Sequence, residues 1–234
     1  MRKITAAQIA VFVALFSVAA AAAVVTTAGV LGWLPLGDFR GVVLSLAGFF
    51  LFFVYAIAVY RLFLKFFPLS PGEITPNSRQ EFIYHVYILF FIMVFYPLMF
   101  SGLLPLPLAR VLYLALGAKL GANTYGQGII YDPPFVEIGA NSVFGGSSFL
   151  VPHVIEGERL AHYPIKIGDH VTIGGTAVVL SDVIIGDWAV VATGAVVTKG
   201  TRIGTGEIWG GMPARRLGVR EGCGVEGNGG EVTS

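Results

Sequence analysis

Histidine is the side chain in this sequence best suited to acid–base chemistry, because its imidazole titrates near neutral pH. His153, His162 and His170 lie close together in the C-terminal half. A base that takes a proton from a hydroxyl or amine must come within about 2.6 to 3.2 Å of it. Glu156 follows His153 by three residues, so its carboxylate could hold one imidazole tautomer. The alternatives are a solvent-facing corner histidine and an exposed loop carboxylate.

A six-residue repeat surrounds these histidines. It runs from Leu120 to Ile155, is interrupted at 156–166, and resumes as IGDHVT, IGGTAV and IGDWAV. A three-faced prism needs one large inward residue on each face, and burying each one contributes about 1.5 to 3 kcal/mol. The repeat supplies such a column: Ile138, Phe144, Leu150, Ile167, Ile173, Val179, Ile185, Val191, Val197 and Ile203. We therefore predict a β-helix whose coils stack on a continuous aliphatic core.

The N-terminal half has the composition of a membrane protein. Over all 234 residues, mean hydropathy is +0.77 and only 12% of the residues are charged, and the longest uncharged runs lie in this half. No Asp, Glu, Lys or Arg occurs from Ile4 to Gly37 or from Gly41 to Tyr60, and crossing a bilayer takes about 20 apolar residues. The first run is too long for a cleaved signal, so we interpret it as an uncleaved anchor. Two transmembrane helices are predicted.

Positive charge predicts the orientation of this pair, since Lys and Arg favour the cytoplasmic side. They flank its outer ends, whereas the connecting loop holds only Arg40, beside Asp38. A third uncharged stretch, 82–109, contains three prolines that bend or stop helices. We expect it to re-enter the membrane or lie in the interface, which leaves the C-terminal half in the cytoplasm. The predicted domains are an anchor (1–117), a β-helix (118–217) and a disordered Gly-rich tail (218–234).

The charge and cysteine content exclude some functions. A net charge of +1 without a dense basic stripe argues against nucleic-acid binding. Cys223, the only cysteine, cannot form an internal disulfide and is given no role.

The segments IGDHVTIGGTAVVL, IGDWAVVATGAVVTKG and GGMPAR resemble the hexapeptide-repeat acyltransferases, which fold as left-handed β-helices. The segments LLPLPLARVLYLALGAKLG, DPPFVEIG and HVIEGERL are similar to members that carry N-terminal transmembrane helices. The resemblance implies a membrane α-helical region joined to an all-β, left-handed parallel β-helix. It also implies a homotrimer with sites between subunits, an acetyl-CoA or other acyl-CoA donor, and a bacterial inner-membrane location.

The resemblance also implies site residues. The family's catalytic histidine stands just before the break in the repeat, as His153 does, and the departing loop could reach a neighbouring subunit. Asp132 replaces an inward aliphatic residue, so either the coil is distorted there or the carboxylate points to a catalytic site; the resemblance favours the site. Acyl-CoA needs a pantetheine groove with cations at one end, and the matching residues are Gly175, Thr193, Thr198, Lys199, Arg202, Arg215 and Arg216.

Zinc is an alternative use of the three histidines, because trimeric β-helix carbonic anhydrases bind zinc between subunits. The spacings here, nine and eight residues, differ from that pattern, so no metal is predicted. The predicted function is acyl transfer at the membrane to a hydroxyl or amine acceptor, with His153 as general base. A non-catalytic trimeric membrane scaffold is the alternative, since a fold does not by itself confer activity.

Overall fold

The structure, a computed structural model, describes residues 2–220, which divide into two units. The helical unit holds the residues up to Pro105 together with Ala115–Gly117 and Val154–His162. The prism unit holds Leu106–Leu114, Ala118–His153 and the residues from Tyr163 onward. The segment after His153 therefore groups with the helices, although repeats lie on both sides of it. Cys223 and most of the tail that was predicted to be disordered lie outside the described residues.

The helical unit begins at Thr5, whose side chain accepts a hydrogen bond from Gln8 N while the Gln8 amide oxygen accepts one from Thr5 N. This reciprocal capping box fixes the start of the first helix. The α-helices of this unit are α1 (Ala6–Gly29), α2 (Arg40–Phe66), α3 (Arg79–Phe90) and α4 (Tyr96–Phe100). A fifth helix, α5 (Leu106–Leu116), belongs mostly to the prism unit. A π-helical turn, Phe91–Phe95, joins α3 to α4, and two 3₁₀ turns, Leu31–Trp33 and Gly37–Phe39, lie between α1 and α2.

Three helical stretches are long and apolar enough to cross a membrane, judged by length and composition: Ala6–Trp33, Gly37–Phe66 and Arg79–Phe100. The most apolar window of the third is 50% buried within the protein, against 11% for the first. Aromatic side chains explain this burial, because Tyr60 of α2 packs edge-on against Phe95 at 5.3 Å and beside Tyr87 at 5.9 Å. Whether this third stretch spans or re-enters a membrane stays a prediction.

The prism unit consists of short parallel strands in three sheets. The first sheet contains β2 (Lys119–Leu120), β5 (Val136–Ile138), β10 (Ile165–Ile167), β13 (Ile184–Ile185) and β16 (Arg202–Ile203). The second contains β3 (Tyr125–Gly126), β6 (Val143–Phe144), β11 (Thr172–Ile173), β14 (Val190–Val191), β17 (Glu207–Gly210) and β18 (Arg215–Val219). The third contains β4 (Ile129–Ile130), β7 (Phe149–Leu150), β12 (Val178–Val179) and β15 (Val196–Val197). All pairings within these sheets are parallel except the antiparallel β17–β18 pair.

The register stacks equivalent repeat positions directly above one another. In the third sheet Leu150 pairs with Val179, and Val179 pairs with Val197. All ten predicted inward residues are buried, none with more than 4% of its surface exposed. Gly174 shows why a small residue stands beside each of them, because an added Cβ would lie 2.4 Å from the backbone nitrogen of Thr193 in the next coil. The β-helix predicted from the six-residue period is confirmed, and so is the left-handed form that the resemblance implied.

Residues 153–162 leave the prism as a β-hairpin, formed by β8 (His153–Glu156) and β9 (Arg159–His162). The turn between them uses Gly157 at φ +60°, a conformation that glycine adopts without strain. The hairpin pairs with β1 (Gly72–Glu73), which lies between α2 and α3, in the order β1–β9–β8. The segment that was expected to reach a neighbouring subunit is thus hydrogen-bonded to a strand of its own chain.

Candidate active site

His153 and Asp132 form a hydrogen-bonded pair. The imidazole Nδ1 lies 2.5 Å from Asp132 Oδ2, and the ring of Tyr131 packs edge-on against the imidazole at 5.9 Å. The Asp132 side chain is 1% exposed and the His153 side chain 22%. An ionised carboxylate can only accept hydrogen bonds, so Nδ1 must be the donor. We therefore assign the Nδ1–H tautomer to the neutral imidazole. Nε2 then faces away from the carboxylate as the free basic nitrogen.

The backbone at Asp132 explains how a side chain in an aliphatic position reaches the histidine. Asp132 adopts the left-handed conformation, φ +45°, and begins a short 3₁₀ turn, Pro133–Phe135. Aspartate tolerates this conformation better than β-branched residues do. The coil is therefore distorted at this position, and the carboxylate contacts His153; a catalytic role for the two residues stays a prediction.

The environment shifts the pKa of His153 in two opposing ways. Burial lowers the pKa, but the hydrogen bond and negative charge of Asp132 raise it by more, so the net pKa lies above its ordinary value of 6.5. Among residues 2–220 no hydrogen bond to His153 Nε2 is found, which leaves this atom able to accept a proton. The arrangement can therefore act as a base held in one tautomer by a carboxylate.

Glu156 does not contact the imidazole in the way that its sequence position suggested. Its carboxylate accepts a hydrogen bond from Arg159 Nη1 at 3.2 Å, and it lies three residues along the same strand as His153. Side chains alternate along a strand, so residues three apart point to opposite faces. Asp132 rather than Glu156 orients the histidine in this structure.

The other two histidines lie in different surroundings. His162 is completely buried, with its ring 5.2 Å from that of Tyr84. His170 stands at a prism corner at φ +58°, with its ring stacked on Trp188 at 3.9 Å. Within the described residues, no group of three or more His, Cys, Asp or Glu side chains is placed to hold a metal ion. His153 thus differs from both in having a carboxylate on one ring nitrogen.

Several residues predicted to bind the acyl donor lie in turns at the ends of strands of the third sheet. Gly175 and Thr193 occupy the turns that enter β12 and β15, one coil apart. Thr198 and Lys199 form the turn that leaves β15. The register places this turn two coils from the one that leads to His153, a rise of about 10 Å at the usual strand spacing.

Two of the predicted cations take part in exposed ion pairs. Arg202 Nη2 lies 2.9 Å from Asp182, and Arg216 Nε lies 2.9 Å from Glu207. The guanidinium of Arg215 donates to the carbonyl oxygen of Ala214 at 3.1 Å. Exposed ion pairs contribute about 0 to 1 kcal/mol, so an incoming phosphate can displace them at little cost.

Residues 164–199 match the family model described as bacterial transferase hexapeptide (six repeats). The prism is a hexapeptide-repeat β-helix. The match lies within the repeats that the sequence identified, so the recognition of a hexapeptide-repeat protein is confirmed.

Among curated proteins, the chain is similar to gamma carbonic anhydrases 1 and 2 of Arabidopsis thaliana mitochondria, with 40% and 38% identity over 24% and 22% of this chain. It spans about a quarter of their length, 26% and 25%.

Among solved structures, the chain is similar to a maltose O-acetyltransferase from Clostridium difficile 630, with 28% identity and a TM-score of 0.42, covering 46% of this chain and 61% of that one. A hexapeptide-repeat acetyltransferase from Vibrio cholerae O1 biovar eltor, complexed with acetyl coenzyme A, has 26% identity and a TM-score of 0.41, covering 45% and 61%. The chain therefore spans less than two thirds of either protein.

Proposed function

We propose that this protein is an acyl-CoA-dependent transferase that acylates a hydroxyl or amine at a membrane. The observation that carries the proposal is the buried Asp132 carboxylate on Nδ1 of His153, which leaves Nε2 without a hydrogen-bond partner among residues 2–220. The similar solved structures include a maltose O-acetyltransferase and a hexapeptide-repeat acetyltransferase complexed with acetyl coenzyme A. Acetyl-CoA is accordingly the proposed donor.

The reaction requires one base and one site for the donor. His153 Nε2 removes the proton as the acceptor oxygen or nitrogen attacks the thioester carbonyl, and Asp132 stabilises the imidazolium that forms. The tetrahedral intermediate collapses by breaking the carbon–sulfur bond. The imidazolium then returns its proton to the departing thiolate. The products are the acylated acceptor and free CoA, and the histidine is again neutral.

The donor is proposed to lie along the third sheet. Its phosphates would meet the cations near the C-terminal end of the prism: Lys199, Arg202, Arg215 and Arg216. Its pantetheine arm would pass the turns of Gly175, Thr193 and Thr198 towards His153. Following the resemblance to hexapeptide-repeat acyltransferases, we propose a homotrimer in which neighbouring prisms complete each site.

The apolar helices support a membrane-associated acceptor. Three stretches are long and apolar enough to cross a bilayer, and an enzyme with a soluble acceptor would have no need of them. The proposed location is the bacterial inner membrane, with the prism on the cytoplasmic side. A lipid-linked or membrane-delivered acceptor is the corresponding substrate class.

Replacing His153 with Ala tests the proposal. The variant should lose transfer, measured as CoA release with membrane extract as acceptor source, by at least about 100-fold. His170→Ala is the matched control, because that histidine has no carboxylate partner within residues 2–220 and should retain activity.

Thermal unfolding separates catalysis from scaffolding. Acetyl-CoA that binds the native state must raise the melting temperature of the wild type and of the His153→Ala variant alike. A non-catalytic scaffold would show neither transfer nor this shift. Undiminished turnover by the His153→Ala variant would refute the assignment of the base.

A further inference from the structure

The strand that starts at His153 leaves the prism and becomes part of the helical unit. Val154–His162 group with the apolar helices, while His153 itself belongs to the prism unit. The backbone of the proposed base therefore continues directly into the hairpin of residues 153–162. Whatever holds this hairpin also restrains the direction of the chain at His153.

Backbone pairing holds the second hairpin strand. Gly72 and Glu73 of β1 pair antiparallel with His162 and Ala161 of β9. Ile74 N then donates to the carbonyl oxygen of Leu160 at 2.8 Å. Ile74, Leu160 and Ala161 are all buried, with 5% or less of their surfaces exposed. The connection between α2 and α3 thus acts as an added strand beside the hairpin.

Arg159 links the hairpin to β1 through its side chain. Its Nε and Nη2 both donate to Glu73 Oε1, at 2.9 and 2.6 Å, and its Nη1 donates to Glu156 at 3.2 Å. One guanidinium therefore bonds a side chain of β1 and a side chain of β8, the strand that carries His153. The Glu73 and Arg159 side chains are about half exposed, so both can be changed without opening a cavity.

The hairpin turn has a separate attachment. Arg2 Nε donates to the carbonyl oxygen of Glu158 at 3.0 Å, and Arg2 Nη1 donates to Glu81 at 3.1 Å. The Arg2 and Glu81 side chains are only 14% and 10% exposed. The hairpin that contains the His153 strand is consequently held by Glu73 on its β9 side and by Arg2 at its turn.

We propose that Glu73 and Arg159 are positioning residues for His153. By holding the hairpin against β1, they fix the direction in which the imidazole of His153 points. The inference rests on the proposed acyl transfer. Asp132 fixes one ring nitrogen of His153, but the strand direction determines where the other nitrogen points. A displacement of about 1 Å at a reacting group is enough to cost 100-fold in rate.

The test compares kcat, KM for acetyl-CoA and melting temperature in Glu73→Gln, Arg159→Ala and the charge-swapped pair Glu73→Arg with Arg159→Glu. Glu73→Gln removes one half-exposed ion pair and Arg159→Ala removes two, so kcat should fall by about 2- to 5-fold in each single variant. KM for acetyl-CoA should stay unchanged, because no predicted donor-binding residue lies in the hairpin. The charge-swapped pair should recover only part of the lost kcat, because it restores the ion pair with β1 but places a glutamate beside Glu156.

Lys119→Ala is the matched control, since Lys119 and Glu137 form an exposed ion pair at 3.4 Å between two prism strands. Its kcat should match the wild type. If Glu73→Gln and Arg159→Ala keep wild-type kcat, or if the swap restores melting temperature without kcat, the positioning role is refuted. Loss of activity in His153→Ala alongside unchanged Glu73 and Arg159 variants would refute this inference alone, whereas an active His153→Ala variant would refute the proposed function.

Discussion

Asp132→Asn isolates the charge of the pair that carries the proposed chemistry. Asparagine has nearly the same shape and tolerates the left-handed backbone, φ +45°, that Asp132 adopts. The local fold should therefore persist, whereas alanine at this position would change both the backbone preference and the charge. Asparagine can still contact Nδ1, but its amide can present an N–H there and so favour the wrong tautomer.

The magnitude follows from the geometry. The Asp132–His153 bond is short, 2.5 Å, and its carboxylate is 1% exposed, so the negative charge acts in a poorly solvated place. Hydrogen bonds to charged groups contribute about 1.5 to 3 kcal/mol. If that stabilisation of the imidazolium is lost in the transition state, kcat should fall about 10- to 150-fold, since each 1.36 kcal/mol is tenfold in rate.

The pH profile gives a second readout. The base must be neutral to accept a proton, so wild-type activity should decline as the pH falls through the raised pKa of His153. Without the carboxylate, burial alone acts on the imidazole and lowers its pKa. The acidic limb of the Asp132→Asn profile should therefore move to lower pH, although its maximum is reduced.

The assay is CoA release measured from pH 5 to 9 with wild type, Asp132→Asn, His153→Ala and the double variant. The double variant should be no slower than His153→Ala, because the carboxylate acts only through the imidazole. A wild-type rate for Asp132→Asn, or an acidic limb that stays in place, would refute the reasoning.

Two further outcomes are expected. Tyr113→Phe should destabilise the prism by about 1 kcal/mol in urea unfolding, because the buried hydroxyl donates to Gly128 O at 2.9 Å and accepts from Ile130 N at 3.3 Å. Burial raises the pKa of Tyr113 to about 12, so this loss should be constant between pH 6 and 9. Lys199→Ala should raise KM for acetyl-CoA about 3- to 10-fold with little change in kcat, as expected for a phosphate contact; a change in kcat alone would contradict that role.

Sequence reasoning succeeded where the fold depends on a local period. Each six-residue repeat of the prism buries one large residue at a fixed position, so the inward residues from Ile138 to Ile203 could be predicted one by one. The pairing of β1 with strand β9 of the hairpin could not be predicted. β1 has only two residues, Gly72 and Glu73, and shows no alternation, and its partner lies nearly ninety positions later. Such a pairing depends on tertiary structure, which a short sequence window does not contain.

At the candidate site, too, the residues could be predicted from the sequence but the contacts between them could not. Both His153 and Asp132 were predicted as site residues, but their pairing was not, because it depends on the turn that Pro133 and Pro134 impose after a left-handed residue. Glu156 was chosen as the orienting carboxylate for its closeness in sequence. That choice assumed a loop, whereas the residues form a strand in which positions three apart face opposite ways.

Asp132 also bears on the choice between enzyme and scaffold. A buried ion pair is weak evidence for stability, because apolar residues of similar size often stabilise a core equally well or better. The repeat favours an aliphatic residue at this position, and a scaffold would be under no constraint to replace it with a carboxylate in a left-handed conformation. Residues that break a local rule of the fold are expected at functional sites. The exception here falls beside His153, the residue that we propose as the base for acyl transfer.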